Sequence, residues 1–389
     1  GSSATARSAN NVSSTNPAPE AERRLRRVGV LGAGQLGLML GLAGRPLGLE
    51  FLFVDPAADP PAKSVGEHLA LDYGSPAALE QLATCEVVTY EFENVAVEAV
   101  QAVSSLTRVY PPASALAVAQ DRLHEKTCFA ELGIPTAPFF NVESRDDLVR
   151  ALAGIGYPAV LKTRRFGYDG RGQAVLQTLV DAERAYAELG RVPLLLEGFV
   201  PFERELSLIG ARSASGDIRF YPLVENHHRG GILRLTLAPA PNVTAERQAM
   251  AEGYMRAIFE RLGYVGVLAL ELFQAGGRLV ANEMAPRVHN SGHLTLEGAR
   301  TSQFEQHLRA VLDLPLGSTE LIEPSAMLNC IGSLPAPAAV LAVTDAHLHD
   351  YGKAARAGRK VGHVTVRAPT IELLAERLAL LRPMIESAP

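Results

Sequence analysis

Tryptophan is absent from this 389-residue sequence, and cysteine nearly so, with three copies. Cys85, Cys128 and Cys330 are odd in number and too far apart to make a local metal-ligand pair. That excludes a disulfide scaffold, disfavours a structural zinc site and predicts reduced thiols in an intracellular enzyme. No run reaches the roughly 18–20 apolar residues of a membrane span. The first two dozen residues lack the apolar stretch of a secretory signal, so a cytoplasmic location is expected. Neither sign of charge dominates: 37 Lys and Arg face 42 Asp and Glu, a net of −5. A nucleic-acid partner held by bulk charge is therefore not expected. What is present is 47% hydrophobic and 20% charged residues, a soluble globular composition at a length that suits two or three domains.

Residues 1–25, rich in Ser, Asn, Ala and Pro without an apolar period, read as a disordered tail that begins with a cloning remnant. A β-rich run, Arg26–Leu31, then meets Gly32-Ala33-Gly34-Gln35-Leu36-Gly37 and a helical apolar pattern over 38–47. A second strand, Leu49–Val54, ends at Asp55, and strand-like runs cover 86–90 and 107–110. Strands alternating with helices predict a parallel, doubly wound α/β domain over 26–120. Residues 121–132 read as a helix capped by Asp121 and stopped by Gly133-Ile134-Pro135. Strands then cluster at 158–163, 173–177, 194–199, 205–211, 218–224 and 231–236, followed by a long helix at 245–262 and strands at 265–273 and 278–284. This is an α+β pattern, assigned to a domain over 121–314 that ends with a helix near 303–312. The Pro-rich remainder, 315–389, is expected to be a small strand-rich domain closed by a helix over 371–381.

The Gly32 to Gly37 loop, with Asp55 at the end of the next strand, fits the dinucleotide fingerprint. Glycines at a helix N-terminus offer amides to any phosphate, or simply make a turn, so the rest of the chain must decide whether NAD binds there. Residues 165–173 carry three glycines in six positions between two strands, the first ending near Lys162. They read as a mobile flap over a polyphosphate with Lys162 as a point charge, or as a hairpin without a ligand. Glu271 and Glu283 flank the turn 275–278, and a hairpin centred on Gly277 sets them opposite each other. Two half-buried carboxylates across a ladder repel unless a cation lies between them, and few hard oxygen ligands completed by phosphates fit Mg²⁺. A register one residue off would leave one of them solvated. Downstream, Arg287, His289, Asn290, Ser291 and His293 crowd into seven residues, either as a polar turn or as donors for a small planar oxyanion.

In order, VGVLGAGQLG, QDRLHEKTCFAELGIPTAPF, VLKTRRFGYDGRGQ, YPLVENHHRGGIL, LGYVGVLALELF and NEMAPRVHNSGH resemble the 5-(carboxyamino)imidazole ribonucleotide synthase family of ATP-grasp ligases. YGKAARAGRKVGH completes the match in the C-terminal domain. The resemblance implies an ATP-grasp fold with a pre-ATP-grasp domain and a lid at 135–197. It also implies a reaction: ATP and bicarbonate give carboxyphosphate, which carboxylates the 5-amine of aminoimidazole ribonucleotide. ATP would contact Arg122, Lys162, the flap Gly167, Tyr168, Asp169, Gly170, Arg171, Gly172 and Gln173, the adenine-edge residues Glu197, Gly198, Phe199 and Val200, and Glu205, His228, Asn282 and Glu283.

Glu271 and Glu283 would hold Mg²⁺, and Arg287, His289 and Asn290 would form the bicarbonate and carboxyphosphate pocket. The ribonucleotide would meet Gly34, Gln35, Leu36, Glu93, Asp169, Lys353 and Arg359, the last two at its phosphate. Asp169 is the candidate for handling the amine's proton. ATP and Mg²⁺ are implied, with bicarbonate as co-substrate, without NAD or biotin, in a homodimer. Leu38 stands where the family often has Arg, and Ala285 where many ATP-grasp enzymes have a further Asn ligand, so no third metal ligand is expected. The alternatives are a sister ligase using formate, a silent nucleotide-binding scaffold, which Lys162, Glu271, Glu283 and Arg287 together argue against, and an NAD-dependent oxidoreductase.

Overall fold

The computed structural model describes residues 26–167 and 170–386; the tail assigned to 1–25 lies outside them. The first unit alternates β1 (Arg26–Leu31), α1 (Gln35–Gly44), β2 (Leu49–Val54), β3 (Glu67–Leu69), α2 (Pro76–Leu82), β4 (Val87–Tyr90), α3 (Val97–Ser104) and β5 (Arg108–Val109). The strands make a parallel sheet ordered β3-β2-β1-β4-β5. Because helices cover such a sheet on both faces, its strands read as continuous apolar runs: β4 is buried at every position. The strand order reverses between β1 and β4, so a crevice opens beyond their carboxyl ends. The glycine loop and Glu91 to Glu93 lie at that crevice. The first helix starts at Gln35, three residues before the apolar pattern over 38–47, because the glycine loop runs directly into it, and it ends at Gly44.

After α4 (Ala113–Ala119), α5 (Arg122–Glu131) begins as expected at Asp121, whose side chain accepts from the Leu123 amide at 3.0 Å. The lid comprises β6 (Phe139–Val142), α6 (Arg145–Ile155), β7 (Ala159–Thr163), β8 (Gln173–Leu176), α7 (Leu179–Leu189) and β9 (Leu194–Gly198). Its antiparallel sheet, ordered β6-β9-β7-β8, has a separate core built on Val142, Leu148, Leu161 and Leu196. The strand pattern leaves α6 and α7 unread. Both carry capping boxes, Ser144 with Asp147 and Thr178 with Asp181, and the usual signature has Glu or Gln at that third position.

The central sheet collects β10 (Arg204–Arg212), β11 (Ile218–Phe220), β12 (Val224–Arg229) and β13 (Ile232–Ala238), then, after α8 (Ala245–Leu262), β14 (Gly266–Ala275) and β15 (Arg278–Ala285). Past α9 (Thr295–Gly298) and α10 (Gln303–Val311) it gains β16 (Ser325–Ile331), and past α11 (Pro337–Leu341) it gains β17 (Ala346–Asp350) and β18 (Lys360–Arg367), closed by α12 (Ile371–Glu386). The order is β15-β14-β10-β12-β13-β16-β18-β17, with β11 on β10. The C-terminal strands thus continue this sheet through β13 and β16, where Leu235 faces Leu328. The run at 218–224 is two elements, not one: Pro222 has no N–H for the ladder, and β11 and β12 pair with opposite ends of β10.

In the β14–β15 hairpin the two-residue turn Gly276-Gly277, with φ of 55° and 76°, pairs Ala275 with Arg278. Both positions need the left-handed region, which glycine supplies without strain. Continued without interruption, that register would set Glu271 opposite Asn282. A bulge between Glu271 and Leu272 shifts it by one, and Glu271 faces Glu283. The expected pairing is observed, but a bulge produces it and not a turn centred on Gly277.

Gly41 fixes the seat of α1: a Cβ there would lie 2.3 Å from Val65 Cγ2. Alanine in a helix ordinarily gains about 0.5–1 kcal/mol over glycine, whereas overpacking costs about 1–3 kcal/mol. Gly41→Ala is therefore expected to lower the unfolding midpoint in urea; a raised midpoint would show that Val65 yields freely.

Candidate active site

Asp121 starts α5 so that Arg122 and Lys126, one turn apart, share a face. Arg122 Nη1 is 2.9 Å from Glu283 Oε2 on β15. Lys126, 1% exposed, lies 3.6 Å from Glu197 Oε2 on β9 and donates to the Ala281 carbonyl at 3.3 Å. Lys162, at the end of β7, donates to the same Glu197 oxygen at 2.9 Å. Burial alone would raise the Glu197 carboxyl, but the ammonium groups of Lys126 and Lys162 outweigh it and hold the group at about 2. Glu197 Oε1 is buried without a hydrogen-bond partner.

Lys126 and its neighbour Glu125 escape a reading by motif. The usable signal is their spacing: they follow Arg122 by three and four residues, on the turn that Arg122 begins. Glu125 accepts from the Met284 amide at 2.6 Å, and burial, with the adjacent Glu283 charge, pushes its carboxyl up to about 8.

Across the ladder, Glu271 Oε1 contacts His289 Nε2 at 3.1 Å, and His289 Nδ1 is 2.8 Å from Ser291 Oγ. Burial would raise Glu283, yet Arg122, Lys162 and His289 hold it below the ordinary carboxylate value. Among the described residues no group of three or more His, Cys, Asp or Glu is arranged to hold a metal ion, so protein oxygens from Glu271 and Glu283 would be an incomplete set for Mg²⁺ without further oxygens from a ligand. Glu205 Oε2 meets His228 Nδ1 at 3.1 Å. Asn282 Oδ1 and both polar atoms of Asn290 are buried without partners, a costly state that a polar ligand would relieve. Gly198, Phe199 and Val200 follow Glu197 out of β9, and Phe199 is 44% exposed.

Of the flap, Gly167 and Gly170 to Gln173 are described, and Gln173 pairs with Lys162 across the ladder. Gly170 and Gly172 have φ of 77° and 72°. Tyr168 and Asp169 lie outside the described residues.

In the crevice between β1 and β4 the glycine loop encloses a protein carboxylate. Glu91 accepts from the amides of Gly34 at 2.6 Å and Gly37 at 2.7 Å. A Cβ on Gly32 would lie 2.5 Å from Glu91 Cγ, and one on Gly34 2.7 Å from its Oε1. Asp55, which the fingerprint reserves for a ribose, accepts from the amides of Ala33 at 3.0 Å and Ala57 at 2.8 Å. A pyrophosphate would have to displace a buried carboxylate, and this corrects the NAD assignment that spacing alone suggests. The Leu36 side chain belongs to the core, leaving only its backbone for a ligand, and the Gly34 amide is already used. Gln35 Oε1 accepts from Lys353 Nζ. Burial lowers Lys353 to about 8, and the Arg359 charge adds to that shift. Glu93 takes Arg287 in a pair at 2.5 Å; burial would raise its carboxyl, but Arg287 holds it at about 2. Gln35 and Glu93 of the first unit thus meet Lys353 and Arg287 respectively at this crevice, with Arg359 close to Lys353.

A lid carrying a lysine, a carboxylate pair on a central hairpin and a doubly wound domain in front define an ATP-grasp enzyme. Residues 127–304 match the ATP-grasp domain, residues 25–120 the ribonucleotide synthetase preATP-grasp domain, and residues 325–377 the phosphoribosylaminoimidazole carboxylase C-terminal domain. The chain is 54% identical over 362 residues to N5-carboxyaminoimidazole ribonucleotide synthase of Pseudomonas aeruginosa, covering 93% of this chain and 100% of that one. It is similar to the crystal structure of the Thermus thermophilus synthetase (TM-score 0.89, 55% identity, 93% and 99% covered). It is similar also to the Aspergillus clavatus enzyme in complex with ADP and 5-aminoimidazole ribonucleotide (TM-score 0.85, 34% identity, 93% and 98% covered). The chain belongs to the N5-carboxyaminoimidazole ribonucleotide synthase family, and it is an ATP-grasp ligase.

Glu93 and Glu197 titrate well below their ordinary value near 4.5. The unfolded chain therefore binds more protons than the folded one between about 4.5 and 2, and the stability these groups contribute, full above 4.5, is lost as pH falls through that window. Urea unfolding between pH 3 and 5 should show stability falling with pH. In Glu197→Gln or Glu93→Gln that dependence is expected to be shallower by up to ~1.4 kcal/mol per pH unit; an unchanged slope would contradict the ion pairing.

Proposed function

We propose the following division of labour for the ATP-dependent carboxylation that this family performs in purine biosynthesis. ATP phosphorylates bicarbonate to carboxyphosphate, and the exocyclic 5-amine of aminoimidazole ribonucleotide then takes the carboxyl group, releasing phosphate and giving N5-carboxyaminoimidazole ribonucleotide. The observation that carries this reading is the convergence of Arg122, Lys162, Glu271 and Glu283 on one hairpin, directly followed by Arg287, His289 and Asn290.

Bicarbonate is a poor electrophile, and its phosphorylation supplies a leaving group. The charge on the transferring phosphoryl calls for cations, which Lys162 and Arg122 provide beside the flap from Gly167 to Gln173. Glu197 to Val200 take the adenine edge, Glu205 and His228 the ribose side, and Asn282, with its unpartnered oxygen, joins the nucleotide contacts. Glu271 and Glu283 fit Mg²⁺, because they are facing hard-oxygen donors that repel each other when nothing lies between them. When bound, the ion would neutralise charge between the phosphates.

Arg287, His289 and Asn290 bind bicarbonate and then carboxyphosphate, the unsatisfied amide of Asn290 finding its partners there. Gln35, Glu93, Lys353 and Arg359 take the ribonucleotide, the two cations at its phosphate. Asp169, on the flap, handles the amine's proton, and closure of the flap shields carboxyphosphate from water. The family resemblance also supports a cytoplasmic homodimer.

The test combines ATP, Mg²⁺, aminoimidazole ribonucleotide and isotope-labelled bicarbonate, separately and together. ADP release with label carried into the ribonucleotide product is expected, and its absence would overturn the reading. Asp169→Asn is expected to slow carboxylation and change its pH profile; full carboxylation with an unchanged profile would remove Asp169 from the proton-handling role.

A further inference from the structure

Glu197 holds two lysines on one oxygen while its other oxygen, buried, holds none. Lys162 lies 2.9 Å and Lys126 3.6 Å from Oε2. The two cations are not equivalent. Lys162 stands at the end of β7, paired across the ladder with Gln173 of the flap, and its side chain keeps 11% of its surface exposed. Lys126 is 1% exposed and tied to the Ala281 carbonyl of β15, so it has nowhere to go.

We propose that Lys126 is a positioning residue: it keeps Glu197 ionised and in place when Lys162 transfers from that carboxylate to the phosphates of the nucleotide. The proposal rests on the reading above that Lys162 meets phosphate and Glu197 the adenine edge. Without a second cation, moving Lys162 would strand a buried carboxylate, and the strain of an uncompensated buried charge would oppose phosphate binding. With Lys126 in place the carboxylate loses one partner of two, and Oε1 stays available to accept from an amine. Arg122 pairs with Glu283 and not with Glu197, so it does not take over the place of Lys126.

The experiment measures binding of ADP and of adenosine by calorimetry, with the full chain. Lys126→Met leaves Lys162 as the ammonium group in ion-pair contact with Glu197. ADP affinity is expected to fall at least about tenfold, the scale of one charged hydrogen bond, while adenosine affinity changes less than about threefold. Adding Glu197→Gln to Lys126→Met removes the charge that detains Lys162, and ADP affinity should return to that of Glu197→Gln alone. Equal losses for ADP and adenosine in Lys126→Met, or no loss for either, overturn the proposal.

If Lys126→Met does not fold, the comparison of Glu197→Gln with the double variant decides. Equal ADP affinity supports the exchange, and a gap above about tenfold overturns it. Lys162→Met separates this from failure of the underlying reading: if it leaves ADP affinity unchanged, Lys162 does not meet phosphate, and the nucleotide assignment falls together with the proposal.

Discussion

Everything around the site answers one electrostatic problem, two carboxylates set opposite each other on the β14–β15 ladder. Glu271 faces Glu283, and like charges directly across a ladder repel. Each is met by a side chain from a different element: Arg122 from the start of α5 reaches Glu283, and His289 from the loop after β15 reaches Glu271. Arg122 can do so only because Asp121 ends the preceding chain and begins the helix at that residue. The same helix turn delivers Lys126 to the lid strand β9, which ties the lid to the central sheet through a buried ion pair. The carboxylate pair thus draws a helix and a loop together, and the same helix reaches the lid through Lys126.

Much of this is legible in the sequence. The cap at Asp121, the long helix Ala245–Leu262 and the alternation of the first domain follow from local chemistry that tertiary packing does not override. The pairing of Glu271 with Glu283 is different. A two-residue glycine turn predicts Asn282 opposite Glu271, and only the bulge restores Glu283; a bulge leaves little trace in apolar alternation. Helices α6 and α7 went unread because their capping boxes use Asp. Lys126 and Glu125 went unread because charged residues in a helix normally signal a solvated face. Here burial of that face makes them part of the site.

The glycine loop shows how a motif can be right about geometry and wrong about the ligand. Its glycines do permit a close approach and its helix N-terminus does receive a carboxylate, as the fingerprint requires. The group that approaches is Glu91 of the same chain. The fingerprint describes the cradle, and only the tip of β4 reveals what fills it.

That occupancy has a consequence for the architecture. A helix N-terminus offers its free amides to one anion, and those of α1 are engaged by a carboxylate that evolution cannot remove without leaving buried donors unpaired. A phosphate-bearing ligand entering the crevice must therefore find its positive partners elsewhere. The loop between β17 and β18 brings Lys353 onto Gln35, where burial and then the nearby Arg359 depress the lysine. Lys353 approaches along a sheet that runs unbroken from the hairpin bearing Glu271 through β13 and β16 to β18. A C-terminal segment that continues the central sheet, in place of one packed on separately, holds that cation at a fixed distance from the carboxylate pair. The buried carboxyl in the first domain and the cations of the last are two halves of one constraint on where an anionic ligand can sit.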